Sequence, residues 1–110
     1  MTDNEVFYDI HIAPKLAELA KQCEARGMPF LALVEWEPGE GGRTCVLPPG
    51  SSFGIRMAEL AARARGNVDS LILALMRYAG QHGHSSICLS RLGVAREPQR
   101  SAGRRVAGSV

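Results

Sequence analysis

The segment "FLALVEWEPGEGGRTCVL", residues 30–47, constrains the fold more than any other part of the sequence. Two short runs rich in apolar, β-branched and aromatic residues flank a centre of glycine and proline. This pattern predicts two antiparallel strands, Pro29–Glu37 and Arg43–Leu47, joined by a turn. Because an isolated hairpin is only marginally stable in water, helices must cover one of its faces or another strand must extend it.

An N-terminal helix is one element that can cover the hairpin. Apolar side chains recur at spacings of four, three and four at Ile12, Leu16, Leu19 and Cys23. Gly27 is suited to end this helix, since glycine adopts a left-handed cap at little cost. Pro14 allows two starts: the helix begins near Ala13, or an earlier helix from about Asn4, capped by Asp3 or Asn4, is kinked at the proline.

Two further helices are predicted after the hairpin. Ser51 or Ser52 can cap the first of them, which runs to about Arg65 and is closed by Gly66. Asn67 can cap the second, which carries "VDSLILALMRYAG" and is apolar on nearly every face. Such a helix belongs in the core of a domain or of an oligomer, and we expect both, with the chain forming a homodimer.

The C-terminal part completes the predicted fold. The segment "SSICLSRL", residues 85–92, can supply a short third strand with Cys88 as a small core residue. Residues 94–110 have few apolar side chains and are predicted to be a basic, mobile tail. The sequence therefore predicts one α+β domain over residues 1–93: an N-terminal helix, a β-hairpin, two further helices and a short C-terminal strand.

Composition and charge narrow the class of protein. The net charge is +2, but residues 61–110 hold eight basic and two acidic side chains, which can meet nucleic acid or an acidic protein surface. The sequence has no apolar run long enough to span a membrane and no basic and apolar signal sequence, so we expect a cytoplasmic protein. We expect Cys23, Cys45 and Cys88, an odd number with wide spacing, to be reduced thiols.

A cluster of chemistry-bearing side chains lies in "RYAGQHGHSSICLSRLGV", residues 77–94. His82, His84 and Cys88 could provide three ligands for zinc, or a cysteine nucleophile with a histidine base. No C-x-x-C pair supplies a fourth ligand, and no orienting group or oxyanion hole can be placed. We therefore favour the interpretation that both histidines are exposed at a helix end, and we expect no metal, no cofactor and no catalysis.

Four side chains are candidates for binding a partner protein. Trp36, the single tryptophan, is either a core residue or an interface anchor, since tryptophan is enriched at binding hot spots. Arg77, His82 and His84 are placed by the helix pattern at the exposed end of the last helix. We expect these four to carry a protein–protein contact.

The run "VLPPGSSFGIRMAELAARARGNVDSLILALMRYAGQHG" resembles ribbon–helix–helix repressors, with a strand ending in Leu-Pro, a helix, a glycine-containing turn and an apolar second helix. The positions that carry the resemblance are Leu47, Pro48, Leu60, Ala61, Gly66 and Ile72. The segment "PPGSSFG" is longer than the matching connection in those repressors. The resemblance implies a DNA-binding alternative in which Arg43, Arg100, Arg104 and Arg105 contact nucleic acid.

A second resemblance covers more of the chain. The order "HIAPKL", "GMPFLALVEW", "VLPPGSS" and "GNVDSLILALMRYAGQHGHSS" is similar to small accessory proteins of tailed phages and prophages of GC-rich bacteria. It implies a small non-enzymatic protein in the cytoplasm of a bacterial host cell that modulates a host or phage component by protein–protein interaction. This is the function that we expect first, before DNA binding and zinc binding.

Overall fold

The structure, a computed structural model, describes residues 2–98. It combines helices with a two-stranded antiparallel hairpin, which confirms the predicted α+β class. The described chain divides into two compact units, one ending at Gly66 and the other beginning at Asn67. The prediction that residues 1–93 form one domain stays a prediction.

The N-terminal helix starts at the earlier of the two predicted positions. It comprises α1 (Asp3–Phe7), a π-helical segment (Tyr8–Ile12) and α2 (Ala13–Ala25). The hydroxyl of Thr2 accepts a hydrogen bond from the backbone N–H of Glu5 at 3.0 Å, so the predicted caps Asp3 and Asn4 are wrong by one or two residues. Pro14 lacks an N–H and crowds the carbonyl of Ile10, which explains why the wider turns immediately precede it.

The buried face of α2 differs slightly from the predicted stripe. Ala20 is buried, whereas Leu19 is 46% exposed. Ile12, Leu16 and Cys23 are half-buried. The centre of the buried face therefore lies between Leu16 and Ala20, which are one helical turn apart. The prediction that Leu19 lies on the core face is therefore wrong.

The hairpin pairs β1 (Phe30–Glu37) with β2 (Glu40–Val46) through a two-residue turn at Pro38 and Gly39. Gly39 has a φ of +84°. The second central position of such a turn requires a positive φ, which glycine adopts most easily. Glu35 pairs with Gly41 and Glu37 with Glu40, so Trp36 is the extra residue of a β-bulge. The second strand begins earlier than predicted because two glycines belong to it.

One face of the hairpin packs on the N-terminal helix. The Tyr8 ring is buried, lies 5.0 Å from the Trp36 ring, and contacts the backbone at Gly42. Alternate β1 residues share this half-buried face, as predicted; they are Phe30, Ala32, Val34 and Trp36. The small core of the first unit is therefore organised around Tyr8.

The first unit ends with α3 (Phe53–Ala64). Of the two predicted caps, Ser52 is correct: its hydroxyl accepts the N–H of Ile55 at 3.3 Å. Arg65 ends the helix in the left-handed conformation, with a φ of 53°, which is uncommon outside glycine. Leu60 and Glu59 are the buried residues of this helix.

The second unit contains α4 (Val68–His82) and α5 (Ile87–Arg91). The side chain of Asn67 accepts the Ser70 N–H at 2.9 Å, so the predicted cap is correct. The predicted third strand is wrong because Ser86 caps a helix there, accepting the Leu89 N–H at 3.1 Å. In this helix Cys88 is exposed and is not the core residue that a strand would have made it.

Large apolar side chains of the second unit remain in contact with solvent. The most exposed are Val68, Leu73, Ile87 and Leu92, at 56% to 67%. Ala79 is the buried residue of α4. No helix within residues 2–98 is long and apolar enough to cross a membrane.

Candidate functional site

A solvent-open cleft of about 860 Å³ lies between the hairpin and the C-terminal end of α3. It is lined by residues 33–35, 39 and 41–43 of the hairpin and by residues 61–63, 65 and 66. We call it the arginine cleft, because Arg43, Arg63 and Arg65 all line it. Leu33 contributes an apolar surface that is 57% exposed.

The buried carboxylate of Glu59 organises these arginines. Glu59 is only 4% exposed, and both of its oxygens accept hydrogen bonds from Arg63, one turn later on α3. The three donor–acceptor distances lie between 2.8 and 3.0 Å. A buried charge without such partners would be costly, so the pair holds the Arg63 guanidinium in one geometry.

Two more guanidinium groups approach the same carboxylate. Arg43 from β2 and Arg56 from α3 each lie 3.9 Å from a Glu59 oxygen. The ion pair between Arg43 and Glu59 links the hairpin to α3. The side chains of Arg43 and Arg63 are 42% and 61% exposed, so both also present surface to the solvent.

Arg65, the residue that follows α3, is hydrogen-bonded to the hairpin. Its guanidinium donates a hydrogen bond to the carbonyl of Gly39 at 3.2 Å. The N–H of Gly39 in turn donates to the carboxylate of Glu35 at 3.4 Å. The first contact holds the turn of the hairpin beside the end of α3, and the second is internal to the hairpin.

The electrostatic balance of the arginine cleft is positive. Among the described lining residues, three carry a guanidinium group and one, Glu35, a carboxylate. Glu59 neutralises one further positive charge from within the protein, but three arginines surround it. The cleft can therefore attract and hold an anionic group.

Trp36, predicted either as a core residue or as a partner anchor, is half-buried in the first unit. Its ring packs on Tyr8, and its carbonyl accepts a hydrogen bond from the side chain of Asn4 at 3.4 Å. The structure thus gives Trp36 a packing role, and its role in binding stays a prediction.

The predicted residues at the end of α4 have different environments. Arg77 and His82 are exposed, and the His82 ring stacks on Tyr78 at 4.1 Å. His84 is half-buried, so the expectation that both histidines are exposed is wrong for this one. Its Nδ1 accepts the Ser86 N–H at 2.9 Å, so Nε2 carries the proton and donates to the Val94 carbonyl at 3.0 Å.

His84 therefore ties the loop after α4 to the segment that follows α5. The backbone N–H of His84 adds a hydrogen bond to the carbonyl of Arg96 at 3.0 Å. With its donors and acceptors used in this way, His84 belongs to the internal structure of the second unit. A role in binding a partner stays a prediction for His84, as it does for Arg77 and His82.

The zinc alternative finds no assembled site in the described part of the chain. No three His, Cys, Asp or Glu side chains within residues 2–98 are grouped so that they could hold a metal. The described cysteines, Cys23, Cys45 and Cys88, are free thiols.

Of the four arginines of the DNA-binding alternative, one lies among the residues that the structure describes. Arg43 lies in the arginine cleft, where it pairs with Glu59. Arg100, Arg104 and Arg105 lie outside the described residues.

Sequence reasoning missed Glu59, Arg63 and Arg65. A signal for two of them was present, since Glu59 and Arg63 are four residues apart, the spacing of an ion pair on one helix face.

Comparison of the chain with models of known protein families, with curated proteins and with solved structures gives no match in any of the three.

Proposed function

We propose that this chain is a small non-enzymatic protein that binds another protein, as the resemblance to phage accessory proteins implies, and that the arginine cleft is its binding site. The observation that carries the proposal is the buried Glu59, which holds the part-exposed Arg43 and Arg63 beside an open cleft. Arginine is enriched in protein interfaces, and side chains that are ordered before binding lose less entropy when a partner binds.

The lining of the cleft supports binding over catalysis. Its described residues are leucine, valine, alanine, glycine and arginine with the single carboxylate of Glu35. They include no histidine, cysteine, serine or threonine that could act as a nucleophile or pair with Glu35 in proton transfer.

The alternative is a DNA-binding regulator in which Arg43 contacts phosphate groups. Glu35, Glu37 and Glu40 are exposed on the same hairpin as Arg43. Because duplex DNA carries a charge about every 1.7 Å along its axis, its backbone would meet these carboxylates as well. The charge pattern therefore favours a protein partner.

We further propose that the protein acts as a homodimer in the cytoplasm of a bacterial cell. Support for self-association comes from the exposed apolar side chains of α4 and α5, above all Val68, Leu73 and Ile87. Exposed apolar surface of this kind is typical of association sites, and a second copy is available wherever the protein is made.

Affinity capture from a nuclease-treated bacterial lysate, washed at moderate salt, tests the binding function. Leu33→Glu places a carboxylate in the cleft opposite Arg43, and Leu19→Glu makes the same change on an exposed position of α2. We expect one protein to be enriched by the wild type and by Leu19→Glu, and lost with Leu33→Glu. Recovery of nucleic acid alone, without nuclease and at low salt, would favour the DNA-binding alternative.

A further inference from the structure

We infer that the arginine cleft accepts a carboxylate side chain from an extended, acidic and apolar segment of the protein partner, held between Arg43 and Arg63. The inference rests on the proposed function and specifies the chemistry of the partner.

The geometry around Glu59 shows how one carboxylate is bound by both arginines. Nη1 of Arg43 and Nη2 of Arg63 both approach Oε2 of Glu59, at 3.9 and 2.8 Å. Two guanidinium groups that reach a single oxygen atom from different elements are close enough for one further anionic group to contact both. Each guanidinium has five N–H donors, more than the hydrogen bonds to Glu59 use.

The charges around Glu59 favour a second carboxylate. Arg43, Arg56 and Arg63 surround one buried negative charge, and the cleft adds the positive charge of Arg65 and the negative charge of Glu35, so the positive charges remain in excess. A ligand carboxylate would balance part of this excess through charge-assisted hydrogen bonds, for which the planar guanidinium is well matched.

The remaining lining defines what flanks that carboxylate. Leu33 of β1 and Ala61 and Ala62 of α3 provide apolar surface in the same cleft as the arginines. A peptide with apolar residues next to an acidic one can cover this surface while its carboxylate reaches the guanidinium groups. A uniformly charged phosphate polymer would leave the apolar surface uncovered.

The register of the hairpin offers a sharp test. Leu33 is directly opposite Arg43, so the substitution Leu33→Glu puts a carboxylate within reach of Arg43 from the same chain. This internal carboxylate would compete with the ligand. Leu33 is largely exposed, so the change does not require a charge to be buried.

The probe is a short fluorescein-labelled peptide of alternating leucine and glutamate, with a matched peptide that has glutamine in place of glutamate. Fluorescence anisotropy is measured with the wild type, Leu33→Glu, Arg43→Gln and the control Leu19→Glu. We expect the glutamate peptide to bind the wild type and the control, and its Kd to rise about tenfold or more with Leu33→Glu and with Arg43→Gln. The glutamine peptide should bind the wild type no more tightly than the glutamate peptide binds these two variants.

Equal binding of the two peptides, or binding unaffected by Leu33→Glu and Arg43→Gln, would overturn the inference. So would a labelled DNA oligonucleotide that binds in an Arg43-dependent manner while the glutamate peptide does not. Circular dichroism of each variant confirms that it is folded. A partner that is captured from lysate in a Leu33-dependent manner, but is not displaced by the glutamate peptide, would support the proposed binding function. It would refute the inference that the partner supplies a carboxylate to the cleft.

Discussion

The ring of Tyr8 lies directly against Gly42. A Cβ atom on Gly42 would be 2.6 Å from the hydroxyl oxygen of Tyr8 and 2.9 Å from Cζ. Tyr8 is buried and packs on Trp36, so the ring has little freedom to move away. Glycine at this position is therefore what allows the N-terminal helix to approach the hairpin so closely.

We expect Gly42→Ala to destabilise the first unit by about 1–3 kcal/mol, the usual cost of overpacking a core. Urea unfolding followed by the fluorescence of Trp36, the single tryptophan, reports on this unit. The control is Gly54→Ala in α3, where the nearest atom to a new Cβ is 3.7 Å away and the stability should stay equal or rise. Combining Gly42→Ala with Tyr8→Ala should cost less than the sum of the single changes; additive costs would contradict the contact.

The second prediction concerns Glu59. Replacing it by glutamine removes the charge that three arginines share, so the first unit should lose about 1–2 kcal/mol of stability. This loss of stability is smaller than that for a fully buried ion pair, because the arginine side chains are between 27% and 61% exposed and can be hydrated. Glu24→Gln, on an exposed position of α2, should change stability by less than about 0.5 kcal/mol in the same unfolding measurement. Equal effects of the two changes would show that the cluster does not stabilise the fold.

The fold was predictable where local chemistry decides it. Glycine and proline define the hairpin turn, and the side chains of Ser52 and Asn67 cap their helices as expected. The strand predicted at residues 85–92 is wrong because a short run of alternating apolar and polar residues is compatible with either a strand or a short helix. The cap at Ser86 decides between the two. The bulge at Trp36 depends on pairing between strands, which no single segment specifies.

The arginine cleft was not predictable for a different reason. Arg43 lies in β2 while Glu59 and Arg63 lie in α3, so the cluster exists only after the hairpin and the helix pack together. Histidine side chains can serve as ligands or bases, but both ring nitrogens of His84 are used inside the second unit, in hydrogen bonds with Ser86 and Val94. Local sequence showed only the spacing of Glu59 and Arg63.

The third prediction follows from the contacts of His84. His84→Ala removes the acceptor of the Ser86 N–H and the donor to the Val94 carbonyl, so the loop after α4 should loosen. Hydrogen exchange measured by mass spectrometry should become faster over residues 84–96 while the hairpin is unchanged. His82→Ala is the control, since this exposed side chain contacts Tyr78, one turn earlier on its own helix. If both variants exchange alike, His84 does not hold the segment in place.

The fourth prediction tests self-association through α4. Leu73 is 58% exposed on a helix that is apolar on most faces, so a charge there should oppose burial against a second copy. We expect sedimentation equilibrium to give a concentration-dependent dimer for the wild type and a monomer for Leu73→Glu. Leu19→Glu, on α2, should remain dimeric because that side chain belongs to the other compact unit of the chain. A wild type that stays monomeric at every concentration would refute the homodimer, and dissociation by Leu19→Glu alone would place the interface on the N-terminal helix.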